Sequence, residues 1–206
     1  MTVIFDPAAE KVSLRKSAAS TRKTAQAAQP DAPNRLAAQA ELLLENLDAA
    51  IEAPIIAGYW PIRSEIDPRP LMTALSDKGC KLALPVTPEE GKPLSFHLFD
   101  GPDNLQIGPY DTRQPDPQSP AVIPHLILAP LLAFDAECWR LGYGGGFYDR
   151  TLDQLESLGR RPKVIGLAFD AQQVNDVPTG PYDQPLDGIC TPSKLIVPNQ
   201  AREKIR

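Results

Sequence analysis

Residues 53–86 place the tightest constraint on the fold. The run "APIIAGYW" at 53–60 is almost wholly apolar and reads as a strand buried on both faces. Asp67 followed by Pro68 marks a helix start, because an acidic cap precedes a ring whose fixed φ suits the first turn. The helix is predicted to run to about Lys78, with Gly79 as its stop, and "KLALPV" at 81–86 is the next buried strand. Two such strands joined through one helix imply parallel pairing and a right-handed crossover. The remaining chain must extend that unit.

It does so with strands at 94–99 ("LSFHLF"), 125–130 ("HLILAP") and 163–169 ("KVIGLAF"), and short ones near 188–191 and 194–197. His97 and His125 fall inside strand patterns and read as structural or surface residues. Before the unit, residues 7–28 and 34–52 read as two helices broken near Pro30 to Pro33. Leu36, Ala40, Leu43, Leu44 and Leu47 give the second an apolar stripe, whereas the first carries few large apolar residues and reads as a polar arm. Residues 108–124, with Pro109, Pro115, Pro117, Pro120 and Pro124, read as a long surface loop. No repeat or linker divides the chain. The expectation is one domain over residues 1–206: a three-layer α/β fold with a mostly parallel sheet and an N-terminal helical arm.

A net charge of −5 argues against a general nucleic-acid binder, while leaving room for a local basic pocket. Cys80, Cys138 and Cys190 are odd in number, widely spaced and without metal-ligand spacing, which fits a reducing cytoplasm. No apolar run approaches a membrane span. The start of the chain, rich in Ala, Ser, Thr, Lys and Arg, resembles a transit peptide, against which Asp6 and Glu10 count.

The chemistry concentrates in "RLGYGGGFYDR", 140–150, where four glycines fall within five residues. The segment follows a strand and precedes a helix predicted at 147–158. Without Cβ atoms, backbone N–H groups can approach a phosphate, and the helix N-terminus favours an anion. Arg140 and Arg150 could add charge, and Tyr143, Phe147 and Tyr148 could wall a flat ligand. The alternative is a glycine turn with packed rings. Tyr148, Leu152 and Leu155 share one helix face, so the Tyr148 ring points to the core and its hydroxyl stays available. Asp149 is explained equally by function and by the helix dipole. Neither a Walker loop nor the dinucleotide fingerprint fits, since Phe147 stands where the latter needs glycine.

Elsewhere, Lys11 and Arg15 lie on one helix face, with Arg22 further along. They form either a solvated face or an arm over polyphosphate. Glu65 could accept two N–H bonds from a heterocycle edge, or be a loop carboxylate in water. Asp183 and Asp187, in a proline-rich loop, could ligate a hard cation.

Four segments in order, "KVSLR" (11–15), "SEIDPRPL" (64–71), "DAECWRLGYGGGFYDR" (135–150) and "YDQPLDGICT" (182–191), resemble the 5-formyltetrahydrofolate cyclo-ligase family. The resemblance implies a Rossmann-like α/β fold. It also implies ATP- and Mg²⁺-dependent cyclisation of 5-formyltetrahydrofolate to 5,10-methenyltetrahydrofolate, with release of ADP and phosphate. The formyl oxygen is phosphorylated and the N10 amine then attacks the activated carbon. Lys11, Arg15 and the loop Arg140, Leu141, Gly142, Tyr143, Gly144, Gly145, Gly146, Phe147 and Tyr148 would bind ATP. Trp60, Glu65, Tyr143 and Phe147 would line the folate site. Asp149 and Asp183 would hold the metal, and Arg140, Tyr148 and Glu65 would serve catalysis.

Two positions depart from the family pattern. Phe147 replaces a common tyrosine and Tyr182 a common histidine, the latter raising Asp187 as a substitute metal ligand. The competing class is a non-catalytic, regulatory binder of nucleotide or folate. The partners expected are small molecules only, with no nucleic acid or membrane, for a monomeric chain.

Overall fold

A computed structural model describes residues 7–198. Helix α1 spans Pro7–Ala28, α2 Ala32–Ala37 and α3 Ala40–Glu45. Strand β1 (Ile55–Ala57), helix α4 (Arg69–Asp77) and strand β2 (Lys81–Val86) form the expected unit, followed by β3 (Ser95–Leu98). Short strands β4 (Gln106–Ile107), β5 (Arg113–Gln114) and β6 (Ala121–Val122) precede β7 (Leu126–Pro130). A hairpin of β8 (Ala133–Phe134) and β9 (Arg140–Leu141) leads to α5 (Phe147–Ser157). Strands β10 (Lys163–Leu167), β11 (Gly188–Cys190) and β12 (Leu195–Ile196) finish the described chain.

The main sheet has the order β12-β11-β10-β7-β1-β2-β3-β6. Its five central strands are parallel, and β12, β3 and β6 add antiparallel edges. Alternation along each strand separates two cores. Ile56, Leu84, Leu126, Leu128, Ile165 and Leu167 meet Leu36, Leu43, Leu71 and Leu75 from α2, α3 and α4 on one face. Ala57, Ala83, Ile127, Ala129 and Val164 meet Leu152 of α5 on the other. Helices on both faces of a mostly parallel sheet give the three layers expected. Leu71 and Leu75 are both fully buried, and each contributes roughly 1.5–3 kcal/mol by leaving water. The chain moves from β1 to β2 on one side, then places β7 on the other side of β1. Strand order therefore reverses at the carboxyl ends of β1 and β7, where open α/β sheets hold ligands.

Several boundaries differ from the sequence reading. The helix expected over 34–52 starts earlier and splits into α2 and α3 at Gln39, whose N–H bonds Leu36 three residues back and so tightens the turn. It stops at Glu45, after which Asn46 and Asp48 turn the chain through side-chain bonds. Its apolar stripe still faces the core. Strand β1 is shorter than 53–60 because Pro54 and Pro61 flank it, though Gly58 still donates to Ala83. The N-cap of α4 is Pro68, one residue later than expected, and Asp67 just before it accepts the Arg69 N–H at 3.0 Å. After α4, paired bonds from Gly79 to Ser76 and from Cys80 to Leu75 form a Schellman-type stop.

The proline-rich segment is not only a loop. It carries the β4–β5 ribbon, and β6 becomes the sheet edge, tied down where the His97 ring bonds Ser119. The strand before the glycine loop is β9, which belongs to the separate hairpin and not to the main sheet. Of the N-terminal stretch, residues 1–6, with Asp6, lie outside the described residues, and from Pro7 it is helix α1. No described helix is long and apolar enough to cross a membrane.

Candidate active site

The arm presents its cations inward. Lys11, Arg15, Ala18, Arg22 and Ala25 recur every three or four residues and share one face of α1. Ala18, Arg22 and Ala25 are buried, and their neighbours toward solvent, Lys16, Lys23 and Gln26, are exposed. Small alanines let α1 approach Leu132, Ala133, Leu141 and Val177 closely. The solvated-face alternative for Lys11 and Arg15 is thereby set aside: Lys11 pairs with Asp183, and Arg15 Nε donates to the Gly142 carbonyl at 3.0 Å.

The glycine loop is braced from its carbonyl side. Besides Arg15, Arg150 donates to the Gly145 carbonyl at 2.6 Å and lies over the Phe147 ring at 5.4 Å. Gly144 and Gly146 have φ of +104° and +64°, values that disfavour side-chain-bearing residues. A Cβ on Gly144 would sit 3.2 Å from the Arg15 guanidinium carbon. The N–H groups of Tyr143, Gly144, Gly145 and Gly146 take no partner among the described residues, and Gly146 opens α5. The loop thus offers a row of donors at a helix N-terminus, an arrangement suited to an anion. Leu141 contributes differently: its side chain is buried and its carbonyl is taken by Leu132, so it anchors the loop's entry.

Two carboxylates stand beside the loop. Asp149 Oδ1 accepts from Arg140 at 2.7 Å and from the Gln184 N–H at 3.1 Å. Arg140 also donates to the Gln184 carbonyl at 2.7 Å. Asp183, next in the chain to Gln184, accepts from Lys11 and from the Gly180 N–H through Oδ2. The Oδ2 of Asp149 and the Oδ1 of Asp183 have no bond among the described residues. These are hard oxygen donors in the number Mg²⁺ commonly takes from protein when phosphates and water complete its shell. No group of three or more His, Cys, Asp or Glu side chains able to hold a metal occurs among the described residues. Asp187 is committed elsewhere: both its oxygens contact Arg161 and it accepts the Val164 N–H at 2.8 Å. Unlike Asp149 and Asp183, it keeps no oxygen without a bond.

Glu65 is buried, not a loop carboxylate in water. It is 5% exposed, its Oε2 accepts the Ile62 N–H at 2.9 Å, and Arg22 lies 3.9 Å from its Oε1. Burial pushes its pKa up to about 7, against the pull of the Ile62 bond and of Arg22 and Arg63. The Tyr148 ring packs against the α5-side core, as its spacing implied. Burial, then the Glu65 charge, raises its hydroxyl well above the usual phenol range. Residues far apart in sequence, Glu65 and Tyr148, are therefore near enough for the charge of one to act on the other.

Phe147 and Trp60 both touch the proline-rich segment. Phe147 meets Tyr110 edge-on at 6.4 Å, while Trp60 lies under Arg69 at 4.9 Å and Arg113 at 5.9 Å. Tyr110 and Arg113 come from the proline-rich segment, which crosses from one ring to the other. The sequence marks this segment only as a surface loop, since a tyrosine and an arginine among five prolines give no periodic signal.

The model of the 5-formyltetrahydrofolate cyclo-ligase family matches residues 7–192. A 5-formyltetrahydrofolate cyclo-ligase of Escherichia coli (strain K12) is 30% identical over 179 residues, covering 84% of this chain and 97% of that one. Its counterpart from Haemophilus influenzae is 34% identical over 146 residues, covering 68% and 77%. The NMR structure of Aquifex aeolicus 5,10-methenyltetrahydrofolate synthetase superposes with a TM-score of 0.70 over 95% of this chain and 96% of its own, at 27% identity.

Proposed function

Since the chain belongs to the 5-formyltetrahydrofolate cyclo-ligase family, we propose that it closes 5-formyltetrahydrofolate to 5,10-methenyltetrahydrofolate, using ATP and releasing ADP and phosphate. The observation that carries this reading is the convergence of Lys11, Arg15, the glycine loop, Asp149 and Asp183 beside the buried Glu65. One side suits a polyphosphate and the other a neutral ring with N–H donors.

An N-formyl group resembles an amide and is a poor electrophile. Transfer of the terminal phosphoryl group to its oxygen makes a leaving group, and attack by the N10 amine closes the ring and expels phosphate. The chain's own work is positioning and charge neutralisation. Lys11, Arg15 and the loop N–H groups bind the phosphates. Ionised Glu65 accepts paired N–H bonds from the pterin edge, and Trp60, Tyr143 and Phe147 supply ring surface. Tyr148, kept neutral by its raised pKa, donates a hydrogen bond and cannot act as a base near neutrality. Arg140 fixes Asp149 and turns its second oxygen free. Mg²⁺, held by Asp149 and Asp183, would supply the charge that neutralises the phosphate oxygens. No observation favours a non-catalytic regulator, and the nearness of Lys11 to Asp183, of Arg15 to the glycine loop and of Arg140 to Asp149 supports the catalytic reading.

The test is the near-ultraviolet absorbance of methenyltetrahydrofolate after mixing protein, 5-formyltetrahydrofolate, ATP and Mg²⁺. Product forming only with ATP and Mg²⁺ together supports the reading, and product without ATP refutes it.

A further inference from the structure

We infer that Arg22 is a positioning residue that ties the glycine loop to the Glu65 carboxylate, holding Tyr143 and the ionised form of Glu65 in place together. The proposal rests on the folate-site reading of Glu65.

Arg22 is 2% exposed, in a helix whose other buried side chains are alanines. Burying a guanidinium is costly unless its donors are matched. Here its Nε donates to Ser64 Oγ at 3.2 Å and Nη1 to the Leu131 carbonyl at 3.1 Å, while Nη2 donates to the Tyr143 hydroxyl. Glu65 Oε1 lies 3.9 Å from Nη1, and the guanidinium also lies against the Tyr143 ring at 5.3 Å. One planar fork thus touches the arm, the turn after β1, the end of β7 and the glycine loop. These are the segments that must keep their spacing if a phosphoryl group is to pass from the loop side to the Glu65 side. Lysine has one compact ammonium and cannot serve these directions at once.

The charge matters separately from the fork. The groups around Glu65 are Arg22 from α1, Arg63 beside it in the same turn, Tyr59 after β1, Tyr143 in the loop and Tyr148 on α5. Asp67, two residues on, is bound to Arg69. Arg63 is exposed and stacks on Tyr143 at 5.2 Å, so Arg22 is the buried cation closest to the carboxylate. Removing an opposite charge at this distance raises a carboxyl pKa by about one to three units.

The experiment compares wild type, Arg22→Gln and Arg22→Lys by the pH dependence of kcat/KM for 5-formyltetrahydrofolate. Thermal melting from about pH 4 to about pH 10.5, a range that spans the expected shift, is followed in parallel as a readout that needs no substrate. Glu65 is raised from its unfolded value toward about 7, so its favourable contribution to stability is complete below the unfolded pKa and is lost as pH rises through the folded one. In Arg22→Gln the acid limb of kcat/KM and the alkaline end of the melting slope should both move up by about one to three units. Arg22→Lys should keep the limb within about half a unit, yet lose about tenfold or more in kcat/KM through the broken fork. An unmoved limb and slope in Arg22→Gln, or wild-type kcat/KM in Arg22→Lys, overturns the proposal. Should Arg22→Gln not fold, the lysine variant decides alone. If wild type turns over no folate, the proposed function fails, and the melting slopes still decide whether Arg22 holds Glu65.

Discussion

Gly142→Ala and Gly144→Ala separate what the glycine loop does for a ligand from what it does for the fold. A Cβ on Gly142 meets nothing within 4 Å and needs no positive φ, so the fold should tolerate it. Its melting temperature should stay within about 2 °C of wild type, as for a surface change worth up to ~0.5 kcal/mol. The methyl group instead enters the open space where a phosphate would approach. Holding the phosphate off would weaken one charge-assisted contact worth roughly 1.5–3 kcal/mol, which is about ten- to a hundredfold in apparent ATP affinity. Gly144 is different. Its φ of +104° and the Arg15 guanidinium 3.2 Å from a new Cβ add backbone strain and displace a loop brace. Strain of about 1–3 kcal/mol should lower the melting temperature by roughly 2–12 °C, with ATP affinity falling as well. Differential scanning fluorimetry and steady-state titration of ATP measure both quantities. Gly142→Ala with unchanged ATP dependence would refute the reasoning, because the open face of the loop would then not be where the phosphate sits.

Three further outcomes follow from the same geometry. Arg15→Ala removes both a charge and the brace on Gly142, and should weaken apparent ATP affinity by about ten- to a hundredfold with circular dichroism unchanged. Asp149→Asn and Asp183→Asn should each raise the Mg²⁺ concentration needed for half-maximal rate, since each keeps an acceptor but loses a hard anionic ligand. Asp187→Asn should leave the magnesium titration unmoved, and the reverse ranking would reassign the metal. Phe147→Tyr should change kcat/KM by no more than about tenfold, the value of a single neutral hydrogen bond. An inert wild type rescued by that tyrosine would show the hydroxyl to be required.

How far the sequence speaks for itself depends on the range of the interaction. The β1–α4–β2 unit is written in local terms, with the Asp67–Pro68 start, the Leu71–Leu75 face and Gly79 as stop, and its order appears as expected. The glycine loop is equally local. What the sequence hides is contact across the chain. Arg22 lies in a helix with so few large apolar residues that the segment reads as a polar arm, yet long side chains on an alanine face reach where leucines cannot. Glu65 and Asp187 are carboxylates of similar local appearance, and their roles divide only when Arg22 closes on one and Arg161 on the other. Tyr110 and Arg113 reach Phe147 and Trp60 from a proline-rich stretch whose path no periodicity constrains. The break at Gln39 between α2 and α3 likewise has no signal in a run of good helix-forming residues.

The most direct test of the account counts two products in one reaction. Purified protein is mixed with 5-formyltetrahydrofolate, ATP and Mg²⁺, and methenyltetrahydrofolate is followed by absorbance while ADP is quantified from the same samples. The account predicts that ADP and methenyltetrahydrofolate appear in equal amounts, and that omitting ATP abolishes both. ADP released without ring closure, or ring closure without ADP, would contradict it.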